Sequence, residues 1–139
     1  MCEAFIEQRC QTCGSVVQCR TWEHVIGGRL QWVVLCGCGT CGGGETEEFG
    51  WDETPAQVRQ ALLDTCGTFR LRVQAPQQVA RMPVMRVLRA TGEPLASVSA
   101  RVEALMTQGQ TGTEAELELL ALRLAEVGVP TTTARDDQG

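Results

Sequence analysis

The sequence predicts an α+β chain in two parts, and three observations predict it. A Cys-x-x-Cys-Gly turn is written twice, at residues 10–14 and 38–42. Two β-rich stretches run between the copies, joined by Gly27-Gly28. Beyond residue 53 the spacing of apolar residues changes from alternating to mostly helical. The expected order is a β-hairpin with paired cysteine turns over residues 1–53, a connecting helix over 54–67, a small α/β sandwich over 68–134, and a flexible tail over 135–139.

Composition sets the limits. The chain has 139 residues, 43% hydrophobic and 21% charged, a globular balance that suits one domain or two small ones. No apolar run approaches the roughly 18 residues of a membrane span. The first ten residues carry Glu3 and Glu7 and lack the apolar stretch of a secretory signal, so a cytoplasmic location is expected. Every basic residue is Arg, which reads as coding bias rather than function. Residues 1–53 hold eight acids against three Arg, whereas residues 54–139 hold nine of each. The whole formal charge of −5 therefore belongs to the cysteine-rich part.

Eight cysteines stand at 2, 10, 13, 19, 36, 38, 41 and 66. In a reducing compartment such a set favours metal over disulfides. Two thiolates two residues apart can bind one metal from a tight turn, and the Gly that follows lets backbone amides face the sulfurs. Cys10, Cys13, Cys38 and Cys41 then form the closed tetrahedral set of a structural zinc site. Turn, hairpin, turn and a third strand over 45–50 are the parts of a zinc ribbon. A segment of about 50 residues buries little apolar surface, and zinc binding of about 10–16 kcal/mol would stabilise it. A dithiol redox motif is the alternative for either turn alone, disfavoured by the duplication and by the lack of a βαβ setting.

The remaining cysteines are read separately. With Gly27-Gly28 as the turn, Ile26 pairs with Arg29 and Cys19 faces Cys36. Two small buried thiols are the favoured reading of that pair. A cross-strand disulfide, or a second metal with Cys2 or His24, is the alternative. Cys36 could also replace Cys38 as ligand. Cys66 is expected in the core at a helix end, and His24 has no catalytic partner that sequence can place.

In the second part, residues 54–67 read as a helix with Thr54 as N-cap, Pro55 at its first position, Gln57 at the capping-box position and Gly67 at its end. Its buried stripe is Val58, Ala61 and Leu62. Phe69, Leu71 and Val73 alternate with Arg70 and Arg72 as in a half-buried strand. Two helices broken at Gly92-Glu93-Pro94 follow, the first burying Val84, Val87 and Leu88, the second Leu95, Val98, Val102 and Leu105. A last helix is capped by Thr113 with Glu116, carries Leu117, Leu120, Ala121 and Leu124 inward, and stops at Gly128. A short strand is expected over 129–133.

Two stretches, "PVMRVLRATGEPLASV" and "GTEAELELLALRLAEVGV", carry a resemblance. Residues 68–134 are similar to the C-terminal domain of the bacterial ribosomal stalk protein, the seven/twelve family of the large subunit. That resemblance implies a compact α/β sandwich and a helix surface that docks translational GTPases. Where the family pattern reads Gly-Leu-Lys-Glu-Ala-Lys, this chain has Pro94-Leu95-Ala96-Ser97-Val98-Ser99. The lysines that help contact the factors are thus Ala96 and Ser99, so the resemblance implies the fold more than the stalk function.

Function classes can now be weighed. Four cysteine ligands leave zinc no open position, and the sequence shows no nucleophile–base pair, phosphate loop or metalloprotease helix, so no enzyme is expected. Phosphate backbones are bound mainly by Lys and Arg, and the acidic ribbon speaks against nucleic acid. A protein-interaction module fits best. Glu45, Glu47, Glu48 and Asp52 surround Phe49 and Trp51, aromatic anchors within a single-sign rim. The bland alternative is an acidic linker with Trp51 tucked against the next helix. The specific expectation is an immunity or antitoxin-type protein that neutralises a basic toxin domain. The alternative is a translation- or transcription-associated adaptor that docks a GTPase or polymerase through the stalk-like domain.

Overall fold

A computed structural model describes residues 2–42 and 44–136. Among them the chain is mixed α+β, with two antiparallel sheets and four α-helices, and it divides into two units at Gly67 and Thr68.

The first unit is a four-stranded sheet in the order β1-β2-β3-β4, formed by Ala4–Arg9, Val16–Ile26, Arg29–Cys36 and Thr46–Trp51. Gly27 and Gly28 both take positive φ, 59° and 76°, the pairing that a two-residue hairpin turn requires. Ile26 pairs with Arg29, as the sequence predicts, and the register continues to Arg20 opposite Leu35. Thr46–Trp51 is the expected third strand of the ribbon segment. Ala4–Arg9 is a strand that the sequence reading did not anticipate.

Helix α1, Ala56–Cys66, covers one face of this sheet. Its Val58, Leu62 and Cys66 form one core with Ala4, Ile6, Val17, Cys19 and Val34. The valines, Leu62 and Ile6 among them contribute about 1.5–3 kcal/mol each on burial. The helix expected to connect two domains thus belongs to the first unit. Its entry also differs from expectation. Pro55 is the N-cap and no side chain caps the helix. The Thr54 hydroxyl instead donates to Glu23 Oε2. Glu23 is only 4% exposed, and a buried carboxylate needs a donor more than an exposed helix end does. Gly67 ends the helix as expected, with φ 88° and its N–H bonded to Leu63 O at 2.9 Å. Gly50 is required by a close approach: a Cβ there would lie 2.6 Å from the Trp32 ring.

The second unit has a three-stranded sheet, β6-β5-β7, from Gln110–Gly112, Phe69–Val73 and Thr131–Arg135. Helices α2 (Arg81–Ala90), α3 (Leu95–Thr107) and α4 (Glu114–Glu126) share a core with it. Leu71, Val84, Leu88, Val98, Val102, Leu105, Leu117 and Leu124 are among its most deeply buried side chains. The α4 capping box is complete: Glu116 N–H donates to Thr113 Oγ1 at 3.2 Å, and Thr113 N–H donates to Glu116 Oε1 at 3.0 Å.

Three expectations are corrected here. Leu95 is 65% exposed rather than buried, because it opens α3 directly after Pro94 and precedes the inward stripe. The last strand runs to Arg135 instead of stopping at 133, with Val129 buried in the core ahead of it. Arg135 is therefore no tail residue, and Asp136 N–H bonds to Thr68 O at 2.7 Å while its carboxylate pairs with Arg70. Residues 137–139 of the expected tail lie outside the described residues. The short strand Gln110–Gly112 has too few residues for a readable alternation.

Candidate metal centre

Both cysteine turns stand at one end of the first unit's sheet. The first follows β1, where Cys10 N–H bonds to Ser15 O and Gly14 N–H to Cys10 O, each at 2.8 Å. Gly14 and Gly42 take positive φ, 75° and 66°, so each turn closes as its Gly permits. The second turn leads from β3 to β4. Because β1 and β3 both flank β2, the two turns are carried to the same end.

The four sulfurs converge. Cys10 Sγ lies 3.7 Å from Cys41 Sγ, and Cys13 Sγ lies 3.6 Å from Cys38 Sγ. All four fall within 4.8 Å of one another. A tetrahedron with metal–sulfur bonds of about 2.3 Å has sulfur–sulfur edges of about 3.8 Å. The donor set therefore fits one thiophilic tetrahedral ion, with Cys38 and not Cys36 as its fourth sulfur.

The electrostatics favour thiolates. The amides of Cys13 and Thr12 point at the Cys10 sulfur and lower its pKa from 9.0 to about 6. The Ser15 hydroxyl and amide lower that of Cys13. These donors exist because the first turn folds Thr12, Cys13 and Ser15 around its two sulfurs, so ligand preparation and turn geometry there have one cause.

The other four cysteines form two disulfides, Cys19–Cys36 and Cys2–Cys66. This corrects the reading of Cys19 and Cys36 as separate buried thiols. Direct opposition across the hairpin puts their Cα atoms 4.4 Å apart, within bonding range. Cys66 is in the core as expected, 8% exposed, and is bonded to Cys2. His24 forms no part of the metal cluster; its Nε2 is 2.5 Å from Gln31 Oε1 on the neighbouring strand.

The acidic segment lies along β4. Glu45, Glu47 and Glu48 are exposed, as are Phe49 at 52% and Trp51 at 36%. Asp52 is engaged: Arg29 grips it through Nε at 3.3 Å and Nη2 at 2.7 Å, with its guanidinium 4.8 Å from the Trp51 ring centroid. Trp51 pairs with Gln31, and Phe49 with Val33, on the sheet face opposite α1. Trp51 therefore does not tuck against α1. Two aromatics outside the expected partner surface share that face. Phe5 is 61% exposed, and Trp22 carries the Arg20 guanidinium 5.3 Å from its ring centroid. Alternation along β1 and β2 held the signal for both.

Among the described residues no helix is long and apolar enough to cross a membrane. No protein-family model, curated protein or solved structure matches the chain.

Proposed function

We propose that this is a non-catalytic, zinc-binding protein-interaction module of the immunity or antitoxin type, which binds and neutralises a basic toxin domain. The first unit is read as a zinc ribbon extended by β1 and α1. The second unit is read as a domain of the ribosomal-stalk C-terminal type, serving as scaffold.

One observation carries the reading. The edge strand β4 and the residue before it present Glu45, Glu47, Glu48 and the half-exposed Phe49. A row of like charge steers a basic partner, and an aromatic beside it anchors the docked complex. Zinc is favoured among thiophilic ions because four thiolates close its shell without redox chemistry. Its role here is to hold both turns together, and the charge of four thiolates on a divalent ion, net −2, adds to the acidic surface.

The test is rescue. Cells that express a basic nuclease toxin domain should survive when this chain is co-expressed, and the two proteins should copurify. Glu47→Gln/Glu48→Gln should weaken both effects with the fold unchanged. Binding that is indifferent to those carboxylates would overturn the reading.

A second reading rests on α2. Met82, Arg86 and Arg89 are exposed at helical spacing on that helix. That surface suits an adaptor that docks a GTPase or polymerase. Loss of partner binding in Arg86→Ala/Arg89→Ala, with Glu47→Gln/Glu48→Gln silent, would favour it.

A further inference from the structure

Beside the candidate metal centre the first unit has a cavity of about 610 Å³. Small-molecule and side-chain sites occupy roughly 300–1,000 Å³. Its floor is Val17 and Val34, 8% and 3% exposed. Gln8 stands opposite Val17 and Glu48 opposite Val34, so all four positions share one sheet face. Cys36, held to Cys19, continues that face toward the metal centre, where Cys10 and Cys38 border the cavity. Glu45 and Glu48 bring carboxylates to its rim, and Glu47 borders it between them on the strand. Arg9 also borders it, but its Nη1 donates to Gly14 O at 3.0 Å.

We propose that this cavity is the anchor pocket for an arginine side chain of a basic polypeptide. The proposal rests on the reading of the protein as the binder of a basic domain and names the contact that makes it specific. Arginine lays an apolar stem on apolar surface and keeps its head polar, which matches a valine floor under a carboxylate rim. The guanidinium fork can engage carboxylates through paired hydrogen bonds, which an ammonium cannot. Gln8 offers an amide oxygen at the same wall. Anionic ligands are repelled by the Glu45 and Glu48 carboxylates and by the thiolates of the metal centre. Neutral apolar ligands would strip water from the carboxylates without compensation.

The experiment uses the zinc-loaded full chain with labelled valine methyls and glutamine side-chain amides, titrated by NMR. The probes are N-acetyl-arginine amide, N-acetyl-lysine amide and the neutral isostere N-acetyl-citrulline amide. The arginine probe should shift the Val17, Val34 and Gln8 signals and bind about tenfold more tightly than citrulline, as expected for two partly exposed charge contacts. Lysine should fall between them. Glu45→Gln/Glu48→Gln should remove the difference while zinc content and melting temperature stay at the wild-type values. Equal binding of arginine and citrulline, or shifts confined to Val33 and Gln31 on the opposite sheet face, would overturn the proposal. Gln8→Trp fills the cavity and separates the two levels. A toxin domain bound equally by wild type and Gln8→Trp overturns the pocket and leaves the proposed function standing. Arginine binding as described, in a protein that neutralises no basic domain, supports the pocket and overturns the function.

Discussion

Replacing Cys2 and Cys66 together by Ala should lower the stability of the first unit more than replacing Cys19 and Cys36 together. The disulfides close chain segments of very different length, with separations of 64 and 17 residues. The loop-closure entropy they remove from the unfolded chain corresponds to roughly 4 kcal/mol for the longer and roughly 3 kcal/mol for the shorter. At about 4–8 °C per kcal/mol for a domain of this size, the melting temperature should fall by roughly 15–30 °C and roughly 12–25 °C respectively. The two unfolding transitions should be followed by circular dichroism without reductant, with zinc measured on the same samples. Zinc content should be unchanged in both variants, because neither pair supplies a converging sulfur. Adding dithiothreitol should lower the wild type by both bridges and each double variant by its one remaining bridge, so that the three reduced proteins melt close together. A Cys2/Cys66 variant that melts like the wild type, or above the Cys19/Cys36 variant, would refute the loop argument. Zinc loss in either variant would refute the ligand assignment.

Metal analysis should find about one zinc per chain, and Cys10→Ser or Cys41→Ser should abolish it while the two disulfides and the α1 core keep the first unit folded at a lower melting temperature. In metal-free protein, alkylation of Cys10 should reach half its maximal rate near pH 6, because the Cys13 and Thr12 amides lower that thiol from 9.0 to about 6. The sign follows: a depressed thiol supports metal binding above its pKa, so the loaded site should release metal as pH falls through about 6 and below; release centred near pH 9 would contradict it. Association with a basic partner should slow as salt rises past ~0.1 M, where the Debye length is ~10 Å, and Glu47→Gln/Glu48→Gln should flatten that dependence in stopped-flow measurements. Trp51→Ala should lower stability by about 0.5–1 kcal/mol through the lost Arg29 stacking, whereas Phe49→Ala should raise the dissociation rate and leave the melting temperature unchanged.

The sequence by itself determined the local features. Both cysteine turns, the hairpin at Gly27-Gly28 and its register, the α2–α3 break before Pro94 and the Thr113–Glu116 capping box were all readable. Each depends on residues near one another in the chain, or on one turn that fixes a pairing. The convergence of Cys10, Cys13, Cys38 and Cys41 followed from that same hairpin, because the register carries both turns to one end. Only tertiary structure decided what depends on distant partners. Cys2 reaches Cys66 because β1 and α1 pack in one core, a fact no spacing encodes. Thr54 leaves its expected cap for Glu23 because burying that carboxylate demands a donor from across the unit. The cavity over Val17 and Val34 required the faces of four strands to be known together, and single-strand alternation supplies only one face at a time.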